Sequence, residues 1–83
     1  MNMEKTREYK SNDLYQAVVL KTSGIPLIRL EKSSGRFFIF VFDDANNKAE
    51  EILSRYWARN LQVDAKTFVE NINEAKTRIH SGL

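Results

Sequence analysis

The chain has 83 residues, with five Phe, three Tyr, one Trp and no Cys, and a formal net charge of +2. That length holds one small domain without a second core, and the lack of cysteine excludes disulfides and thiolate metal ligands. No apolar run approaches the ~18 residues of a membrane-spanning helix, and Met1–Lys10 lacks the apolar stretch of a secretory signal, so a soluble cytoplasmic protein is expected.

Residues 1–10 are charged and polar, with Tyr9 offered for burial, and are expected to form a flexible tail ahead of a single domain over 11–83. Ser11 or Asn12 can cap a first helix whose opening turn holds Asp13. Leu14, Ala17, Val18 and Lys21 follow the i, i+3, i+4, i+7 spacing of one helix face, and Gly24 supplies a stop. Val18, Val19 and Leu20 would also suit a strand; the capping residues and Gly24 decide for a helix.

Ile25–Glu31 reads as a strand with Pro26 at its start, where a missing N–H donor does least harm. Lys32, Ser33, Ser34 and Gly35 supply a turn. Arg36–Phe42 is then a strand apolar on both faces, with Phe38, Phe40 and Phe42 pointing one way and Phe37, Ile39 and Val41 the other. Two strands do not make an independent sheet. The helices are therefore expected to cover both faces of the hairpin, and its two unpaired edges suggest pairing across a homodimer.

Asp43 or Asp44 caps a second helix with the stripe Ala45, Ala49, Ile52, Leu53 and Tyr56, a Glu51–Arg55 pair on its wet side and an end at Asn60. After the short loop Leu61–Val63, Asp64 caps a last helix with the stripe Ala65, Phe68, Val69, Ile72, Ala75 and Ile79. Val63 and Phe68 stand at the positions of a hydrophobic staple, and Glu74 and Arg78 at those of a surface pair. The expected class is α+β, of order αββαα.

Catalytic residue types are scarce. The single His80 falls near the end of the last helix, where a cation suits the helix dipole. Asp43 with Asp44 and Glu50 with Glu51 are sequence neighbours whose side chains diverge, unlike a converging ligand set. Ser33-Ser34-Gly35 lacks the P-loop pattern and joins two strands. No enzymatic activity, metal, cofactor or small-molecule substrate is expected.

Arg36, Phe38, Phe40 and Val41 match positions of the RNP1 strand of RNA-recognition domains. However, Phe37 and Ile39 replace that motif's small residues, Asp43 replaces its last aromatic, and the four-strand order is absent. Membership is excluded. Burying a Phe is worth ~1.5–3 kcal/mol, which assigns these rings to the core. A better surface is Arg55-Tyr56-Trp57-Ala58-Arg59. Tyr56 continues the buried stripe, Trp57 is turned about 100° from it, and Arg55 and Arg59 share a face at i, i+4. A structural alternative has Trp57 capping the core edge beneath the Leu61–Val63 loop. A tryptophan beside two arginines suits both protein contact and base stacking with phosphate binding. With Arg29, Lys32 and Arg36 as further cations, the expected function is a non-enzymatic module that contacts nucleic acid. The alternative is a protein-interaction or self-assembly module.

Ser11-Asn12-Asp13-Leu14-Tyr15, Gly24-Ile25-Pro26-Leu27, Phe40-Val41-Phe42-Asp43, Tyr56-Trp57 and Val63-Asp64-Ala65 with Phe68 carry a family likeness. Over residues 11–80 the chain resembles the small bacterial domain of unknown function 5659. The resemblance implies a bacterial or phage-related intracellular protein and a helix-first domain, and it carries over no catalytic residue, cofactor or substrate.

Overall fold

The computed structural model describes residues 7–33 and 37–81. They form β1 (Glu8–Ser11), α1 (Leu14–Thr22), β2 (Leu27–Lys32), β3 (Phe38–Asp43), α2 (Ala49–Trp57) and α3 (Ala65–Ser81). The class is α+β, but the order is βαββαα, because a strand precedes the first helix. Glu8–Ser11 pairs antiparallel with β3, Tyr9 opposite Phe42 and Ser11 opposite Phe40. Of its four residues only Tyr9 favours strands. The unpaired edge of β3, whose backbone groups need partners, recruits the segment. Residues 8–10 are thus part of the sheet and not of a tail; residues 1–6, and the turn residues 34–36, lie outside the described residues.

The sheet has the order β1-β3-β2, so the aromatic strand is central and both of its sides are paired within the chain. This removes the premise of two unpaired hairpin edges. The remaining outer edges belong to the four-residue β1 and to β2, whose register breaks between Leu27 and Arg29 just after Pro26. Shortness, proline and bulges are features that blunt edge pairing.

Asp13, and neither Ser11 nor Asn12, caps α1: its carboxylate accepts the Gln16 N–H at 3.0 Å, while Ser11 Oγ accepts from the Asp13 N–H at 3.2 Å. The helix closes at Gly24, whose φ of 102° only glycine adopts at little cost. Ala17, Val18, Val19 and Leu20 are all buried, because α1 lies between the sheet, α2 and α3. A helix enclosed on most sides loses its amphipathic period, which explains why this run reads equally well as a strand.

The core joins Phe40, Phe42 and Leu30 of the sheet to Ala17, Val19 and Leu20 of α1 and to Ala49 and Leu53 of α2, with Phe68, Ala75 and Ile79 of α3 partly buried against it. All three helices therefore stack on the Phe38–Phe40–Phe42 face, and among the described residues no helix covers the other face, contrary to the expectation. On the opposite face Phe37 is 63% exposed, yet Val41 is 0% exposed. Val41 stands between Lys10 and Arg29 in the ladder. Arg29 Nε donates to Glu31 at 2.7 Å, its two terminal nitrogens hold Glu8 at 3.1 and 3.2 Å, and Lys10 lies 4.0 Å from Glu31. The aliphatic stems of this ionic lattice roof Val41 in place of a helix.

Asp44 organises the start of α2: its Oδ1 accepts the Lys48 N–H at 2.8 Å and the Ala49 N–H at 3.0 Å. Residues 45–47 form a turn, with Asn47 at φ 56°, so α2 begins at Ala49 and Ala45 falls outside its stripe. Asp64 caps α3 by accepting from the Thr67 N–H and hydroxyl at 2.9 and 2.8 Å. Two expected ion pairs are exchanged. Glu74 takes Lys21 of α1 at 2.8 Å instead of Arg78, and Glu51 takes Lys48 at 3.9 Å instead of Arg55. Asn71 Nδ2 also donates to Thr22 Oγ1 at 3.0 Å, fastening α3 to α1. Among the described residues no helix is long and apolar enough to cross a membrane.

Candidate binding surface at the end of α2

α2 stops at Trp57, three residues before the expected Asn60, in a Schellman closure. The Arg59 N–H donates to the Tyr56 carbonyl at 3.1 Å and the Asn60 N–H to the Arg55 carbonyl at 3.0 Å. Arg59 occupies the left-handed position of this motif, at φ 66°, where glycine or asparagine is usual. It is therefore not helical, and the expected i, i+4 face shared by Arg55 and Arg59 does not form.

The turn places Trp57 in solvent. Its side chain is 66% exposed and stands edge-on to Tyr56, ring centroids 5.2 Å apart at 64°. Trp57 thus does not cap the core edge beneath the following loop. Tyr56, its ring neighbour, forms part of the wall of an open groove between the last turn of α2 and the first turns of α3, lined also by Leu61, Val63, Ala65, Phe68 and Val69. The staple residues Val63 and Phe68 both contribute to its wall, and Val69 is 54% exposed.

Val69 belonged to the expected buried stripe, and its exposure corrects that assignment. α3 contains no buried residue. It leans on the core through Phe68, Ala75 and Ile79, and the arc from Phe68 round to Val69 is wider than that contact. The width of the apolar stripe was the signal in the sequence; which part of it stays uncovered was not.

The cations divide between two surfaces. Arg29 shares its face of the sheet with Val41, opposite the face on which α2 packs, so it cannot join Arg55, Trp57 and Arg59 in one contact. Its guanidinium is also committed. Donation to Glu8, then to Glu31, holds its proton more firmly than usual, and the same bond keeps the Glu8 carboxyl below its ordinary range. Lys32 is exposed at the end of β2, opposite Phe38, and Arg36 lies outside the described residues. Arg55 and Arg59 are exposed and make no ion pair among the described residues. On α3, Lys66 is bridged to Glu70 at 3.6 Å, whereas Lys76 has no such partner among them. The Asp64 carboxyl is held below its ordinary range by the Thr67 backbone N–H and then its hydroxyl. Among the described residues no group of three or more His, Asp or Glu is placed to hold a metal ion.

Comparison with protein families gives a match to a domain of unknown function, DUF5659, over residues 6–81. No curated protein and no solved structure matches the chain.

Proposed function

We propose, for a chain that belongs to the DUF5659 family and takes no assigned activity from it, that it is a small non-enzymatic module that binds a partner protein through Trp57 and the adjoining groove. The observation that carries this reading is a 66%-exposed tryptophan whose ring stands 5.2 Å from that of Tyr56, a wall residue of an apolar groove in which Val69 is 54% and Val63 38% exposed. Burying side chains of this kind is worth ~1.5–3 kcal/mol each, and aromatic anchors beside arginines are typical of contact hot spots. A cytoplasmic location in a bacterial or phage setting is part of the same proposal, motivated by a chain without cysteine and by the family.

Contact with single-stranded nucleic acid is the second reading, favoured by an exposed Trp57 at the same end of α2 as Arg55 and Arg59, which make no ion pair among the described residues. Magnitudes place it second. One stacked base supplies ~1–3 kcal/mol. With Arg29 committed to Glu8 and Glu31, two phosphate contacts would give a salt slope of about −1.4, or only about sevenfold weaker binding between 50 and 200 mM salt.

Selection of displayed random peptides against the immobilised protein tests both. Enriched binders are expected to lose about tenfold or more in affinity for Trp57→Ala and for Val69→Asp, with a polythymidine oligonucleotide binding more weakly than the best peptide. Failure to enrich any peptide, or binders indifferent to both substitutions, would sink the protein-binding reading. An oligonucleotide that binds more tightly and depends on Trp57 would install the second one.

A further inference from the structure

We infer that the crevice between α3 and the sheet binds a short aliphatic carboxylate, with its chain end among Leu30, Phe40 and Ala75 and its carboxylate on Arg78. Its lining shares no residue with the groove beside α2, so the two sites stand or fall separately.

The crevice exists because α3 is fastened along α1 and is not laid down on the sheet. Lys21 holds Glu74 at 2.8 Å, Asn71 donates to Thr22 at 3.0 Å, and α3 has no buried residue. The small side chain of Ala75 borders the remaining space, which Val18, Leu27, Leu30, Phe40 and Phe42 also line. The enclosed part measures about 20 Å³, little above the ~10–15 Å³ that one water needs. Its walls are almost wholly apolar and offer a water few hydrogen bonds, so an apolar occupant is favoured. The end of a short chain fits there; a ring or a long tail does not. Outside, a wider groove runs between β2 and the last turns of α3, lined by Ile28, Arg29, Leu30, Arg78 and Ser81. Leu30 and Arg78 border both spaces, so one small molecule can reach from the groove into the crevice.

The polar groups around these spaces fix the charge of the occupant. Lys21 and Glu74 hold each other, Asn71 is engaged with Thr22, and Arg29 is engaged with Glu8 and Glu31. Arg78 is half-buried and makes no ion pair among the described residues, because Glu74, its partner expected from the sequence, has gone to Lys21. Two cations, Lys21 and Arg78, against the one acid Glu74 leave the crevice lining with a net positive charge. A guanidinium presents parallel N–H donors that match the two oxygens of a carboxylate, and the match is stronger beside apolar surface than in open water.

NMR titration of the labelled full chain with butyrate at low salt tests the inference. Butyrate is expected to bind saturably with a Kd of ~1 mM, an affinity open to a ligand of its size, and to move the amide signals of Leu30, Ala75 and Arg78. Butyramide, which has the same shape without the charge, and the variant Arg78→Gln are each expected to weaken binding by about tenfold or more. Acetate, which lacks the chain end, is expected to bind about fourfold or more weakly, the equivalent of one buried CH₂. Ala75→Leu is expected to fill the enclosed part and abolish binding; circular dichroism checks its fold, and the butyramide and Arg78→Gln results decide the matter if that variant unfolds. Butyramide or acetate binding as tightly as butyrate, or an Arg78→Gln protein with undiminished affinity, would overturn the inference. So would the absence of saturable shifts up to ~20 mM butyrate. A peptide ending in a free Val carboxylate that binds more tightly than butyrate would give the site to a chain terminus and overturn the small-molecule assignment.

Discussion

Replacing Asp44 with alanine tests how the chain positions the helix that carries Trp57. Asp44 is 4% exposed, and its Oδ1 serves two backbone donors, Lys48 at 2.8 Å and Ala49 at 3.0 Å. Loss of the bond from Lys48 costs ~1 kcal/mol. Ala49 is itself fully buried, so its N–H gains no water in exchange, and an unsatisfied buried donor adds ~1–3 kcal/mol. The expected loss is about 2–4 kcal/mol, or at least about 8 °C in Tm for a domain of this size. Asp44→Asn keeps an oxygen acceptor and is expected to cost less than ~1 kcal/mol. Asp43 next door supplies the contrast: its Oδ1 is buried without a hydrogen-bond partner, so Asp43→Asn is expected to be neutral or stabilising. Thermal and urea unfolding of the three variants would give these values. An Asp44→Ala protein within about 0.5 kcal/mol of wild type would refute the reasoning and assign the start of α2 to the 45–47 turn alone.

Arg59→Gly is expected to stabilise the fold by ~1 kcal/mol, because glycine holds φ 66° without the strain of a side chain; a lower Tm would contradict it. Val41→Ala is expected to cost ~1.5 kcal/mol or more, two methyl-sized groups at ~0.8 kcal/mol each, although no helix covers that face; a change under about 0.5 kcal/mol in urea melts would mean that the Arg29 lattice does not pack it. Glu8, Asp64 and Glu74 all titrate below their ordinary range in the folded chain, through bonds from Arg29, Thr67 and Lys21 respectively. The unfolded chain takes up these protons first, so their stabilisation is complete above the ordinary carboxylate range near about pH 4 and is lost as pH falls through the folded values. Glu74→Gln is expected to flatten that acid-side decline, and melts with an unchanged slope below about pH 5 would remove the Lys21–Glu74 bond as a contributor.

The local signals in the chain were legible because their causes are local. Gly24 and Asp64 act within a few residues, the hairpin strands announce themselves by apolar content and a turn, and Trp57 sits one residue off its helical stripe. The binding surface was legible to the same degree: Trp57, Arg55 and Arg59 were named from their order, whereas the groove beside them needs Leu61, Val63 and Val69 brought round by a turn whose left-handed residue is an arginine. No period in the sequence marks that position.

By itself, then, the sequence determined an α+β domain, the Asp64 cap of its last helix and the two-sided apolar character of the aromatic strand. Tertiary structure alone decided that Glu8–Ser11 is a strand, that Arg29 is spent on Glu8 and Glu31, and that the three described helices all pack on one face of the sheet. The physical reason is separation along the chain. Tyr9 meets Phe42, and Glu8 meets Arg29, only when distant backbone groups complete one another's hydrogen bonds, and a residue's own neighbours carry no record of that pairing.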